Sequence, residues 1–510
     1  MYTLPSNCIH FPSYSILEKR ITVATLSLLA LIFALPPVSG ALQGPISVQM
    51  LKSHSCALPD YGSGFCFRFS VPENRKTRNG RQLQLYVVYL PPYSKRKLDA
   101  ITPLAGGPGE GSATDMQGYF SKSDVRLLRV RHALLFIDAR GTGLSDPIGC
   151  FTGWRDAQTY LTMPVPLLPL NELRKCRSSL SARADIEQYN SVAEADDVDD
   201  IRAALGIRKL TLLGFSAGSL TAQMYLRRHT QYVRAIVMGG IETPDFHHPA
   251  PSARARQIAL DAVFSACSKD DDCNSHFPNL SDDYLAALRI ARSHPINVSV
   301  SEAGPRVEIS YAVFADRLGV MLYSRADVSK IPDVIHQAAS GNWSSFARVA
   351  LADSMAFYSP TDSTVQSVGI SKGMYLSSVC SEGVPFILQA EVTQARDTFT
   401  GQTRIDAYRQ ACEIWNVRSA AQDFTDPVTS SVPTLMISNR FDPACPWWIA
   451  RAMLRNWSNA RQVTDLSFGH LDDWDCIKGM TIQFIDSLKP GSIATACATN
   501  PPRIHFAEQV

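Results

Sequence analysis

Charge of one sign is what this 510-residue chain has least of: 49 Lys and Arg stand against 47 Asp and Glu, a formal net charge of +2. No basic run exceeds Lys95-Arg96-Lys97. The clustered positive field that phosphate binding needs is therefore missing, which excludes nucleic acid as a main partner. Gly-Lys-Ser/Thr and Gly-x-Gly-x-x-Gly are both absent, which removes the P-loop and the dinucleotide fingerprint. Cys-x-x-Cys and clustered His spacings are absent as well, so no zinc site is expected. Repeats and low-complexity segments are also lacking. With 45% hydrophobic residues the chain is too apolar to be disordered, and its length suits one large domain with an elaboration, or two domains.

Long apolar runs are confined to the N-terminus. Lys19 and Arg20 precede the run 21–35, which is followed by Pro36-Pro37-Val38-Ser39-Gly40-Ala41. A positive flank, a hydrophobic stretch and small residues at Val38 and Gly40 form the layout of a signal peptide, with cleavage expected after Gly40. The alternative is an uncleaved membrane anchor, for which the run is slightly short. Either way the remainder is expected in an oxidising space, periplasmic or secreted.

Export makes disulfides the default for most of the 12 cysteines. Near neighbours suggest Cys56 with Cys66, Cys150 with Cys176, Cys267 with Cys273, Cys380 with Cys412, and Cys476 with Cys497. Cys8 leaves with the signal and Cys445 is left over, although Cys445, Cys476 and Cys497 allow other pairings. Asn279, Asn297, Asn342 and Asn456 each begin an Asn-x-Ser sequon, relevant only in a host that glycosylates.

Apolar runs at 82–90, 133–137, 209–213, 233–238 and 434–437 predict strands, most of them short and continuous as in a buried parallel sheet. Between them, Val192, Ala195, Val198, Ile201 and Leu205 recur at helical spacing, with Asp196, Asp197, Asp199 and Asp200 expected on an outer face. Alternation of strands with helices predicts an α/β fold with a doubly wound sheet. About 190 residues separate the strands at Val233 and Thr434, far more than a connection needs. Amphipathic patterns near 252–267, 282–293, 310–324 and 342–356 point to an inserted helical cap, the alternative being a second domain.

Three motifs carry chemistry. Gly214-Phe215-Ser216-Ala217-Gly218 lies between an apolar strand and a helical pattern, the context in which Gly-x-Ser-x-Gly forms a nucleophile elbow. Ser216 would project its hydroxyl at a helix N-terminus, where the dipole and the free amide of Ala217 help to stabilise an oxyanion. Ala105-Gly106-Gly107-Pro108-Gly109 allows backbone N–H groups, that of Gly107 among them, to face the same oxygen. Asp442, in Arg440-Phe441-Asp442-Pro443, and His470, in Phe468-Gly469-His470, follow consecutive strands late in the chain. Serine, aspartate, histidine is the chain order of an α/β-hydrolase triad. Asp472, Asp473 and Asp475 are alternative acids that break this order.

Taken together, Ala-Gly-Gly-Pro-Gly (105–109), Phe-Ile-Asp-Ala-Arg-Gly-Thr-Gly-Leu-Ser (136–145), Gly-Phe-Ser-Ala-Gly (214–218), Phe-Asp-Pro (441–443) and Phe-Gly-His (468–470) resemble the proline iminopeptidase and tripeptidyl aminopeptidase family of α/β-hydrolases. With the signal peptide read at 1–40, the resemblance implies a mostly parallel α/β-hydrolase core at 41–243 and 431–510 and a large helical cap at 244–430. It also implies Ser216, Asp442 and His470 as catalytic residues, with 138–145 as a supporting loop. The implied substrate is a peptide with a free N-terminus, processed without a metal or organic cofactor, and membrane contact follows only if the N-terminal segment is uncleaved. Ala105 departs from the histidine that many iminopeptidases carry there. Glu382, in Val379-Cys380-Ser381-Glu382, resembles a cysteine-acid segment of the tripeptidyl branch and is the candidate ligand for the substrate ammonium, the alternative being a solvated carboxylate. An esterase or lipase with the same triad, or a non-catalytic binding protein on this fold, is the remaining alternative.

Overall fold

Side chains on adjacent positions of each central strand go to opposite sides of the sheet, and both sides are apolar. Leu135 and Ile137 pack with one buried cluster while Leu134 and Phe136 pack with another. Met436 and its neighbours Leu435 and Ile437 divide in the same way. Strands that are apolar on both faces need helices on both faces, which is why they read as continuous hydrophobic runs. The computed structural model describes residues 41–42, 46, 50, 52, 54–58, 61–77, 80–94, 99–149, 170–299, 306–349 and 370–507. The expected signal segment, Cys8, Cys150 and the end of the 342–356 pattern lie outside these residues. Among the described residues no helix is long and apolar enough to cross a membrane.

The strands, in chain order, are β1 (Ala41–Leu42), β2 (Ser55–Leu58), β3 (Gly62–Pro72), β4 (Gln82–Leu90), β5 (Ala100–Leu104), β6 (Ala133–Ile137), β7 (Leu210–Phe215), β8 (Val233–Gly239), β9 (Ile296–Ser299), β10 (Arg306–Ile309), β11 (Thr434–Phe441) and β12 (Ala460–Phe468). The main sheet runs β1-β3-β4-β6-β5-β7-β8-β11-β12, with β2 paired to β3. It is parallel from β6 through β12 and antiparallel at β3-β4 and β4-β6. This mostly parallel sheet with helices on both faces is the α/β-hydrolase architecture. The carboxyl ends of β5, β7, β8, β11 and β12 all open on one edge, where such sheets place their ligands.

Helix Ser191–Ala204 buries Ala195, Val198 and Ile201 against the sheet, as its periodicity predicts. Its expected acidic outer face needs correction. Asp197 is 2% exposed and faces inward, because Arg140 reaches it from the loop after β6 with Nε and Nη2 each 2.7 Å from a carboxylate oxygen. Glu194 on the same helix is buried too.

Among the described residues, the long interval between β8 and β11 holds several packing groups, a small one being Ala250, Ala253, Val392, Ala395 and Ile405. Helices Ala250–Cys267, Leu280–Ser293, Tyr311–Met321 and Ile331–Ala339 share a hydrophobic cluster of their own, reinforced by an antiparallel β9-β10 hairpin that helical patterning did not reveal. Helices Lys372–Glu382 and Thr403–Trp415 instead contribute Met374, Leu376, Tyr408 and Trp415 to the cluster on one face of the main sheet. Disulfides join Cys56 to Cys66, Cys267 to Cys273, Cys380 to Cys412, and Cys476 to Cys497. Cys176 is also disulfide-bonded, and Cys445 is a buried free thiol. Several disulfides in a chain of this size fit an oxidising compartment.

Candidate active site

Strand β7 ends at Phe215 and helix Ala217–His229 begins two residues later, leaving Ser216 as the turn. Its φ of 53° and ψ of −128° are unfavourable for a side-chain-bearing residue and cost about 1–3 kcal/mol. The turn is held by Ser216 N–H donating to Gly239 O at 2.9 Å, and by Ser219 Oγ donating to Ser216 O at 2.6 Å. Close packing explains the second glycine of the motif: a Cβ on Gly218 would lie 2.0 Å from Leu104 O. Ala217, the first helical residue, has no carbonyl one turn back to receive its N–H.

The loop after β5 lies against this turn. A Cβ on Gly106 would sit 3.2 Å from Ser216 Cβ. Gly107, at φ +105°, adopts a conformation that glycine tolerates and other residues rarely do. Gly107, Ser216 and His470 line one cavity of about 490 Å³.

Strands β11 and β12 deliver the other two residues of the expected triad. His470 Nδ1 lies 2.8 Å from Asp442 Oδ2 and 3.0 Å from Oδ1. Asp442 Oδ1 also accepts the backbone N–H groups of Ala444 and Cys445, at 2.8 and 2.9 Å. The His470 backbone N–H donates to Tyr323 O at 2.8 Å, which fixes the loop. Burial pulls the His470 pKa down, but the charges of Asp442, Glu242 and Glu110 outweigh it and the net shift is upward. Asp472, one of the alternative acids, is engaged elsewhere, accepting the Arg325 N–H at 3.0 Å.

Beside Ser216 lies an array of sunken carboxylates. A second cavity, of about 30 Å³, is lined by Ser191, Glu194, Ser378 and Glu382, and it shares Gly106, Glu110, Glu242 and His248 with the larger one. Glu382 is 5% exposed, so the solvated alternative is overturned. Its helix turns it inward, where Oε1 accepts from Ser191 N at 3.0 Å and Ser191 Oγ at 2.5 Å, and Oε2 accepts from Ser378 Oγ at 2.7 Å. Burial raises the pKa of Glu110 and Glu382, and pushes Glu194 up to about 8 and Glu242 to about 7, with the charge of Glu382 adding to both of the latter.

Glu110, Glu194 and Glu242 escaped the sequence reading. Glu242 carried a usable signal, since it stands three residues past β8, at the strand end where ligands gather. Glu194 carried none, because an acidic residue on an amphipathic helix reads as solvated.

Two further features complete the surroundings. Asp138, at the end of β6, accepts N–H groups from Ala113, Thr114 and Leu144 at 2.8–2.9 Å, which ties the 138–145 loop to the segment after the glycine run. Asp465, Asp473 and Cys476 bring ligand-type atoms within 4.8 Å. The Cys476 sulfur is bonded to Cys497, so this group offers a metal only two carboxylates.

Known proteins resemble this chain in fold and in sequence. Residues 105–266 match the alpha/beta hydrolase fold family, and residues 397–497 match the TAP-like protein family. The chain is 23% identical over 455 residues to the putative hydrolase YuaR of Escherichia coli, covering 82% of this chain and 86% of that one. It is 24% identical over 442 residues to the serine protease Hip1 of Mycobacterium tuberculosis, covering 79% and 81%. To the tripeptidyl aminopeptidase of Streptomyces coelicolor it is 28% identical over 194 residues, 35% of each chain.

Proposed function

We propose that this chain, which has the α/β-hydrolase fold and is similar to aminopeptidase-like proteins of that fold, is an exported serine peptidase that removes amino acids or short peptides from a free N-terminus. Ser216 Oγ attacks the scissile carbonyl while His470 takes its proton, and Asp442 holds the imidazole and stabilises its charge. The amides of Gly107 and Ala217 receive the oxyanion. His470 then protonates the departing amine, and water attacking the Ser216 ester frees the N-terminal fragment. This chemistry calls on no metal or organic cofactor. Export rests on the 1–40 signal layout and is supported by the disulfides.

The observation that carries the aminopeptidase reading is the carboxylate array continuous with the Ser216 cavity. Carboxylates crowded in a buried recess repel one another and lose hydration, and both penalties fall when a cation enters. The 30 Å³ recess beside Glu382 has room for a group about the size of one water molecule, as a terminal ammonium is.

The test compares rates on an aminoacyl arylamide, a tripeptidyl arylamide, their N-acetylated forms and a simple acyl ester, with Ser216→Ala as control. Cleavage that needs the free amine and vanishes in Ser216→Ala is expected. Turnover of the acetylated forms or the ester alone would point to an esterase, and unchanged turnover in Ser216→Ala would end the proposal.

A further inference from the structure

We propose that the part of the active-site cavity lined by Lys372 and Arg404 is a carboxylate subsite, taking the C-terminal carboxylate of a short peptide or an acidic side chain of a longer one. The inference rests on the aminopeptidase reading and extends it to the other end of the substrate.

Helix Lys372–Glu382 is the element that links the two ends. Lys372 and Tyr375 line the larger cavity with Ser216 and His470, while Met374, Ser378 and Glu382, at four-residue steps, line the small recess. A helix carries partial positive charge at its N-terminus and partial negative charge at its C-terminus. Here the positive end bears a lysine and the negative end a buried glutamate, so each side chain adds to the dipole instead of cancelling it. A ligand with an ammonium at one end and a carboxylate at the other complements both.

Independent observations mark the positive end. Arg404, from helix Thr403–Trp415, is 8% exposed and lines the same cavity. Its acid partner is shared: Asp316 Oδ1 accepts from Arg404 Nη1 at 2.7 Å and from Arg256 Nη1 at 3.2 Å. The Nε atoms of Arg404 and Arg256 are buried without a hydrogen-bond partner among the described residues. Asp316, which also lies 3.8 Å from Arg317 Nη1, cannot neutralise both of these guanidinium groups, so net positive charge is left at the wall, and buried charge of that kind is costly until an anion arrives. Its field is felt by His248, whose pKa falls to about 3, first through burial and then through Arg404 and Arg256. Burial also lowers Lys372 to about 8. The Ser371 hydroxyl, at the N-cap position beside Lys372, is buried and makes no hydrogen bond to the described residues. Among the described residues, the acids lining this cavity sit on other elements: Glu110, Asp115 and Glu242 on loops of the core, and Asp327 in an ion pair with Lys330 at 2.6 Å.

The helix also sets a length. Ten residue steps at ~1.5 Å each separate the two ends by about 15 Å. An extended peptide advances ~3.4 Å per residue, so a substrate of about three to five residues reaches from Glu382 to Lys372.

The test measures kcat/KM for free peptides of two to eight residues against their C-terminal amides, and for amides carrying Glu or Gln at positions three to five. An acid-over-amide preference of about ten-fold or more, carried by KM and largest near three to five residues, is expected for a terminal carboxylate. The same preference for Glu over Gln identifies a side chain as the source. Lys372→Gln is expected to bring either ratio towards one, and Lys372→Arg to preserve it. Both ratios near one while the peptides are cleaved would overturn the subsite and leave the aminopeptidase reading standing. A ratio unchanged in Lys372→Gln would overturn the role of Lys372, and failure to cleave any free peptide would sink both readings.

Discussion

Asp442 meets His470 Nδ1 with both carboxylate oxygens, at 2.8 and 3.0 Å, while one of those oxygens also accepts two backbone amides from its own turn. The aspartate is thereby fixed before the histidine reaches it. Asp442→Asn puts an amide donor where Nδ1–H must donate and favours the wrong tautomer. We expect kcat to fall by about 10⁴-fold with thermal stability nearly unchanged. A loss below ten-fold would remove Asp442 from the proposed mechanism.

The raised pKa of His470 fixes the sign of the pH dependence. A general base must be neutral, so kcat/KM should fall as pH drops through a value above 6.5, the ordinary histidine figure. Glu242 is one of the charges that raise it. In Glu242→Gln the acid limb of the profile should therefore move to lower pH, whatever happens to its height. An unmoved limb would show that Glu242 does not act on the histidine.

Arg140 is fully buried and meets Asp197 with two nitrogens. Removing one member of such a pair strands the other charge. Asp197→Ala should cost about 3–5 kcal/mol in urea unfolding. Asp200→Ala, which loses only a half-exposed ion pair with Arg75, should cost under about 1 kcal/mol. Equal costs would argue against the burial of Asp197.

Cys445 Sγ lies 3.8 Å from Glu242 Oε1, and burial together with the neighbouring carboxylates drives its pKa well up. A thiol held protonated is a poor nucleophile. Iodoacetamide should leave Cys445 unmodified in the folded protein and label it after denaturation, with mass spectrometry as the readout. Rapid labelling of the native protein would contradict the buried position.

The fold was readable where the physics is local. The run 133–137 and the alternating 82–90 became β6 and β4 with the expected bounds, because strands buried on both faces need unbroken apolar sequence. Four of the expected disulfides formed between near neighbours in sequence, where loop closure is easy. The β9-β10 hairpin was not readable. Ile296-Asn297-Val298-Ser299 is too short to stand out, and its pairing with Arg306–Ile309 is a property of two segments together.

For the site, the sequence by itself determined the residues at the strand ends: a serine in an elbow, an acid and a histidine after consecutive strands, and a glycine loop with room for them. Those positions follow from chain order and local backbone geometry, which sequence encodes directly. Only the tertiary structure decided which charges are buried. Asp197 and Asp200 lie three residues apart on one helix, yet one is enclosed by Arg140 and the other half-exposed. Glu194, Glu242 and Glu382 come from three separate elements and meet only when the helix Lys372–Glu382 packs on the core. Desolvation and charge proximity arise from neighbours distant in the chain, so neither was legible until the chain had folded.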